Sequence, residues 1–292
     1  MECFLENKLK KLKDVVSEYT HFPDPYIQSL ARSYELRQNL IINVIKNIDF
    51  PEKSHGLDIG CGIGLPACMT AILRPDLKIT CMDISENILN VANSITSKVG
   101  LDKIITFEQE NALKPKFLDE SFDWIFSMDC INYSPQLGIE ALQQCKRMLK
   151  KHGKIALLAW SSQQLLPGFP MLEAKLNATK TGIAPFNEKM SPDKHFLKTG
   201  KLLVEMGFEQ IKPQSFIQNL CAPLSNRQIL AMRDLVEMRW TVYSDNINDE
   251  EKTIFKIIMD ENSTHYIWAD PYYYGFFSYT LFLAQKGNSN II

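Results

Sequence analysis

One run of residues, Gly56–Ala67 (GLDIGCGIGLPA), restricts the fold more than any other part of the chain. Leu57 and Ile59 flank Asp58 as a buried strand would, and Gly60, Gly62 and Gly64 follow at alternating positions. Leu65-Pro66 then opens a helix, because a proline in the first turn lacks only an N–H that would have had no partner there. The run therefore reads as strand, tight turn and helix start. Glycines in such a turn let a ligand approach bare backbone. The helix N-terminus behind it presents free N–H groups to polar or anionic atoms. A dinucleotide site would show G-x-G-x-x-G, whereas the spacing here is G-x-G-x-G.

A second acidic position supports a nucleotide-like ligand. Lys78–Ser85 (KITCMDIS) is a short apolar strand ending in Asp83, 19 residues beyond Gly64. An acid at the tip of the second strand of such a sheet accepts hydrogen bonds from ribose hydroxyls. With Asp83 in register, D-I-G-C-G-I-G resembles motif I of the class I S-adenosylmethionine-dependent methyltransferases, most of all the broad group containing the ubiquinone and menaquinone methyltransferases.

That resemblance implies an α/β fold. Its sheet is Rossmann-like, seven-stranded and mostly parallel with the last strand antiparallel, with helices on both faces and a helical lid. It implies S-adenosylmethionine as cofactor, with Asp83 on the ribose and Gly60, Cys61, Gly62 and Gly64 cradling the methionine end. Asp58 would orient the turn or meet the amino group, and Ile84, Asn111, Ala112 and Met128 would surround the adenine. Family members usually carry Asp-Ala where this chain has Asn111-Ala112; an amide carbonyl accepts more weakly than a carboxylate.

Composition bounds the alternatives. At 292 residues with 45% hydrophobic and 23% charged side chains, the chain is expected to fold as one large domain or a domain with a lid. A net charge of −2 gives no global footprint for nucleic acid. No apolar run approaches a membrane span, and the N-terminus (MECFLENKLKKLK) becomes charged too early for a signal peptide. Seven cysteines, an odd number without a CxxC pair, argue against a disulfide framework or a metal site and point to a reducing cytoplasm.

Residues 1–48 read as two helices broken at Phe22-Pro23-Asp24-Pro25; in this fold they would cover the cofactor, with Tyr26 and Tyr34 as contacts or packing. Lys8, Lys10, Lys11 and Lys13 form either an anionic-surface anchor or a solvated helix face. Residues 49–218 and 273–292 are expected to form the methyltransferase core. Its strands are expected at Leu57–Ile59, Ile79–Met82, Ile105–Glu108, within Ser121–Asp129, at Ile155–Trp160, from Phe208 to about Phe216, and at Gly275–Gln285. Strands alternating with helices indicate a parallel sheet. The segments 161–200 and 219–272, the latter with helices at Ile229–Trp240 and Glu250–Met259, are read as lid or substrate insertions.

Asp129, just past the fourth strand, is the candidate base or substrate anchor; a helix cap or solvated loop acid is the alternative. Trp160, His195, Tyr266 and Tyr273 are candidates for a substrate pocket, with the aromatic cluster Tyr266–Tyr279 either walling a pocket or filling a core. Asp270-Pro271-Tyr272-Tyr273 is similar to the D/N-P-P-Y motif of nucleic-acid and protein N-methyltransferases, but lies near the closing strand and lacks the second proline, which excludes it. The expected activity is methyl transfer to a small aromatic or apolar acceptor, by in-line displacement. Two rivals are a non-catalytic S-adenosylmethionine-binding protein and a nicotinamide-dependent oxidoreductase; glycine spacing and the lack of a Tyr-x-x-x-Lys dyad oppose the second.

Overall fold

The computed structural model describes residues 2–134, 136–187, 189–240 and 247–287, with side chains from Leu5 onward. A seven-stranded sheet runs β3-β2-β1-β4-β5-β7-β6. The strands are β1 (His55–Ile59), β2 (Lys78–Asp83), β3 (Ile105–Gln109), β4 (Phe122–Met128), β5 (Leu149–Gln164), β6 (Phe208–Cys221) and β7 (Tyr274–Lys286). The first five are parallel, and β7 lies antiparallel between β5 and β6. Strand order reverses between β1 and β4, and in open α/β sheets ligands bind outside the carboxyl ends of the strands at such a switch point. The Gly60–Gly64 turn and Asp129 leave the sheet there, side by side.

Local sequence explains the helices. In α2 (Pro25–Asn47), Asp24 caps the first turn by accepting from the N–H groups of Tyr26 (2.9 Å) and Ile27 (3.2 Å), and Pro25 occupies the turn itself. Helix α3 (Leu65–Leu73) starts directly behind Gly64, and α4 (Glu86–Val99) is capped by Ser85 and stopped by Gly100 at φ 77°. Together with α1 (Glu2–Ser17), they bury Leu12, Val16, Ala31, Ile41, Cys68 and Ile95 against one sheet face. Helix α5 (Ile139–Met148) covers the other face, where Leu142, Cys145 and Met148 meet Ile125 and Leu157. None of the described helices is long and apolar enough to cross a membrane.

Helix α5 ends at Met148, because Leu149 already pairs with Phe122 of β4. Two strands run well past the ends expected from the sequence. Strand β5 continues to Gln164, and β6 to Cys221, because the long β7 offers hydrogen-bond partners along both. The segment after β5 therefore begins at Leu165 instead of 161.

The two insertions pack over the carboxyl edge of the sheet. The first carries α6 (Pro170–Asn177) and leads into α7 (Thr199–Glu205); the second carries α8 (Asn226–Trp240) and α9 (Asp249–Met259). Glu173, buried at 1% exposure, accepts from the N–H groups of Leu165 and Leu166 at 2.8–3.0 Å and so fixes the chain leaving β5. Asn177 Oδ1 takes hydrogen bonds from Gln163 Nε2 and Trp240 Nε1, both at 3.0 Å, tying β5, α6 and α8 together. Helix α8 also lies on α2, where Arg32 and Asp234 pair at 2.9 Å.

Candidate active site

The glycine turn is built by backbone. Gly60 and Cys61 N–H groups donate to the carbonyl of Met82 at 2.9 and 3.1 Å, fastening the turn to the end of β2. Gly60, Gly62 and Gly64 all have positive φ (70°, 53° and 78°), a region that favours glycine. At Gly60 a Cβ would also fall 2.4 Å from Cys130 Sγ, so two constraints fix glycine there. Asp83 reaches back from β2: one carboxylate oxygen accepts from Gly62 N–H at 3.1 Å, the other from Ser85 N–H at 3.1 Å.

Beneath the turn, Asp58 is 2% exposed, and its Oδ2 has no hydrogen-bond partner among the described residues. Burial, together with the nearby Asp83 carboxylate, pushes its carboxyl up to about 7. A buried carboxylate without a counter-charge is costly unless a ligand supplies one.

A cavity of about 310 Å³ opens against this turn, bounded by Asp83 on one side, Met128 and Cys130 on another, and Tyr34, Arg37 and Ile41 of α2 above. A second chamber of about 340 Å³ adjoins it, between α2, α8 and the ends of β5 and β7. Tyr26, Leu30, Ser33, Arg37 and Asp129 line both. The partition between the chambers is thus an ion pair and its neighbours.

That partition is an organised network. Asp129, held at φ 52° just past β4, accepts from Trp160 N–H (2.9 Å) through Oδ1 and from the Tyr279 hydroxyl (2.9 Å) through Oδ2. Arg37 donates to the same Oδ2 at 3.3 Å and to the Tyr279 oxygen at 3.2 Å. Burial raises the Asp129 carboxyl above its usual range, while Arg37 and the two donors oppose the rise. Three partners crowd a carboxylate that the sequence marked as a possible base; the geometry is that of an anchor joining β4, β5, β7 and α2. Ser127 locks the same corner, donating to Ile59 carbonyl at 3.0 Å and accepting from Ile131 N–H at 3.1 Å.

The other expected residues divide. Trp160 lines the second chamber, stacked on Phe277 with ring centroids 4.7 Å apart. Tyr273 does not: it is buried in the core, donating to the Leu165 carbonyl at 3.1 Å. Tyr266 packs edge-on against Trp268 near α9, away from both chambers, because the chain folds back before entering β7. His195 caps a short turn through Nδ1, accepting from Leu197 N–H at 3.2 Å, and lies on a separate cavity behind Trp160. Ile84 is exposed and Asn111 uses its Oδ1 to accept from Leu113 N–H at 2.9 Å; neither they nor Ala112 line the cavity at the glycine turn. The Asn111 carbonyl proposed for adenine is thus already engaged in its own turn.

Arg37 goes unrecognised in the sequence, and Tyr279 enters only as one member of the aromatic cluster. Arg37 left one signal, a cation three residues after Tyr34 and four before Ile41 on the buried stripe of α2. Tyr279 alternates with Phe277 and Leu281 on one face of β7 and has nothing in its spacing to set it apart from core.

Residues 57–157 match the model of the methyltransferase domain family. Among curated relatives, 27-O-demethylrifamycin SV methyltransferase of Amycolatopsis mediterranei is 33% identical over 101 residues, 35% of this chain and 36% of the relative. Ribosomal RNA small subunit methyltransferase G of Clostridium perfringens is 27% identical over 128 residues, 41% of this chain and 53% of the relative. The chain spans about half or less of the length of the most similar curated relatives. Haemonchus contortus phosphoethanolamine N-methyltransferase 2, solved with S-adenosylhomocysteine, superposes with a TM-score of 0.54 at 19% identity, covering 95% of this chain and 60% of that one. Motif, strand order and domain match agree: the chain carries a class I S-adenosylmethionine-dependent methyltransferase domain, with S-adenosylmethionine as its cofactor.

The first cavity fits that molecule. Asp58 lies beneath the glycine turn rather than on the cavity lining, and its orphaned Oδ2 suits an ammonium group there; the turn leaves backbone free beside Asp83, and Met128 supplies an apolar wall. Asp83→Ala should weaken S-adenosylmethionine binding about ten- to a hundredfold through loss of charge-assisted hydrogen bonds. Calorimetry reads this directly, and an unchanged dissociation constant in a folded variant removes Asp83 from the site.

Proposed function

We propose that this protein transfers the methyl group of S-adenosylmethionine to a small molecule with an aromatic or apolar body, held in the chamber beside Trp160 and Phe277. One observation carries the reading: two chambers of comparable volume meet across Arg37 and Asp129, one at the glycine turn and one against the aromatic stack. When bound, the cofactor supplies a sulfonium-activated methyl group. What the protein adds is alignment of the two reactants and exclusion of water, and alignment alone supplies on the order of 7–11 kcal/mol of barrier reduction. Helix α2 roofs the first chamber, while α1 packs behind it without lining the cavity, and the two insertions act as a lid over the second.

The rRNA enzyme among the relatives raises nucleic acid as an acceptor. A net charge of −2 and a chamber enclosed by α2 and α8 favour a free small molecule instead. The six described cysteines are all unpaired, which suits the reducing cytoplasm this reading assumes.

Parallel calorimetric titrations with S-adenosylmethionine, S-adenosylhomocysteine and NAD test the cofactor half. Micromolar binding of the first two with none of the third supports the reading, and binding of NAD alone overturns it. A screen of small aromatic and apolar acceptors with methyl-labelled cofactor tests the rest: label transfer supports catalysis, and tight cofactor binding without turnover of any acceptor supports a non-catalytic binding protein.

A further inference from the structure

The second chamber holds a cation that the network around Asp129 leaves over. Four charged side chains line it: Arg37, Arg239, Asp129 and Asp234. Arg37 pairs with Asp129, and Asp234 pairs with Arg32 of α2 at 2.9 Å. Among the described residues Arg239 has no carboxylate partner. Its Nη2 donates to the Gly182 carbonyl at 2.8 Å, and its guanidinium carbon sits 5.3 Å from the centre of the Trp160 ring. The Tyr133 oxygen also accepts from the guanidinium, and of its five N–H donors Nε is left without an acceptor.

Two of the buried donors here are unpartnered. Arg239 Nε and Trp160 Nε1 are both shielded from solvent without a hydrogen-bond acceptor among the described residues, and both belong to side chains lining the chamber. Buried N–H groups are nearly always paired, so two orphans on adjacent, stacked side chains mark a place where a ligand supplies acceptor atoms. Asp234 Oδ2 is a third orphan, an acceptor, but its carboxylate charge is already met by Arg32.

We propose that the acceptor is an anion, an aromatic or apolar molecule bearing a carboxylate or phosphate whose oxygens take hydrogen bonds from Arg239 and the Trp160 indole. This deepens the methyl-transfer reading above and rests on it. Arg239 presents a planar fork suited to two oxygens of one oxyanion, and the indole beside it adds a neutral donor. The apolar wall of Phe277, Leu235 and Met238 receives the body of the molecule. Charge complementarity favours the arrangement, since Arg239 has no carboxylate at ion-pair distance among the described residues and feels Asp129 only from further off, so that an incoming anion supplies its close counter-charge.

Calorimetric titration of the full chain saturated with S-adenosylhomocysteine tests this, using benzoate, phenyl phosphate and benzamide as probes. The expected result is that one oxyanion binds at least about tenfold more tightly than neutral benzamide, and which one does so distinguishes carboxylate from phosphate recognition. Arg239→Gln should erase that preference and Arg239→Lys should retain part of it. Neither should change the S-adenosylhomocysteine dissociation constant, because Arg239 does not line the first cavity. Equal binding of the probes, binding of none, or a preference that survives in Arg239→Gln overturns the proposal while leaving the cofactor site intact. Failure to bind S-adenosylhomocysteine would instead indict the cofactor reading; the same tenfold criterion then applies to the protein without it.

Discussion

Asp58→Asn should give a ligand-free protein that is more stable than the wild type at pH 8, yet binds S-adenosylmethionine about ten- to a hundredfold more weakly. Asp58 is 2% exposed, with one oxygen unpartnered, and its carboxyl is pushed from 3.8 up to about 7. The folded protein therefore holds a proton on Asp58 that the unfolded chain has already lost between roughly pH 4 and 7. Stability contributed by this group is present at low pH and lost as pH rises through about 7. A displacement of this size corresponds to on the order of 4 kcal/mol above that pH. Asparagine fills the same space without the charge, so about 2–4 kcal/mol should return at pH 8 and far less at pH 5. Thermal melts at both pH values check the sign. The affinity loss follows because the amide offers no charge to the cofactor's ammonium. For the same reason, wild-type affinity should climb as pH rises from 6 to 8. An asparagine variant that melts lower than wild type at pH 8, with unchanged affinity, would remove Asp58 from the site.

The cofactor half of the molecule was legible in the sequence because it is built from local, backbone-dictated features. Alternating glycines, a proline in the first helical turn and an acid at a strand tip each have few structural solutions, and together they fix the switch point. Ser85 and Gly100 likewise bracket α4 through local cap chemistry. Where a prediction relied on a side chain's partner, it was weaker. Asn111 has the right position but spends its carbonyl on its own turn.

The acceptor chamber was less legible because non-local pairing assembles it. Arg37 in α2, Asp129 after β4 and Tyr279 in β7 are separated by up to 242 residues. Within one strand, Phe277 and Tyr279 line the chamber while Tyr274 is exposed. Tyr266, Tyr272, Tyr273 and Tyr279 share a composition-level signal and occupy four environments, because strand alternation and the fold-back before β7 decide which way each ring points. His195 drew attention as a titratable group in an insertion, but its Nδ1 is occupied by a helical cap.

Asp129→Ala should cost about 2–4 kcal/mol of stability, somewhat less than breaking a fully buried ion pair, since both partners keep about a quarter of their side-chain surface exposed. Arg37 would face Tyr279 without a counter-charge, and Trp160 N–H would lose its acceptor. Alanine also tolerates φ 52° poorly, so the variant combines lost partners with backbone strain. Asp129→Asn separates the two, because asparagine accepts the left-handed conformation and keeps one oxygen for Trp160 N–H or Tyr279. The asparagine variant should melt between alanine and wild type. Kinetics with an acceptor that turns over distinguish anchor from base. A carboxylate already serving three partners acts by holding Arg37 and Tyr279 in place, so Asp129→Asn should raise KM for the acceptor and lower kcat by less than about tenfold. A general base would lose about 10²–10⁴ in kcat. A loss of that size with acceptor KM unchanged would return Asp129 to the role of base and require that one of its hydrogen bonds opens when the acceptor binds.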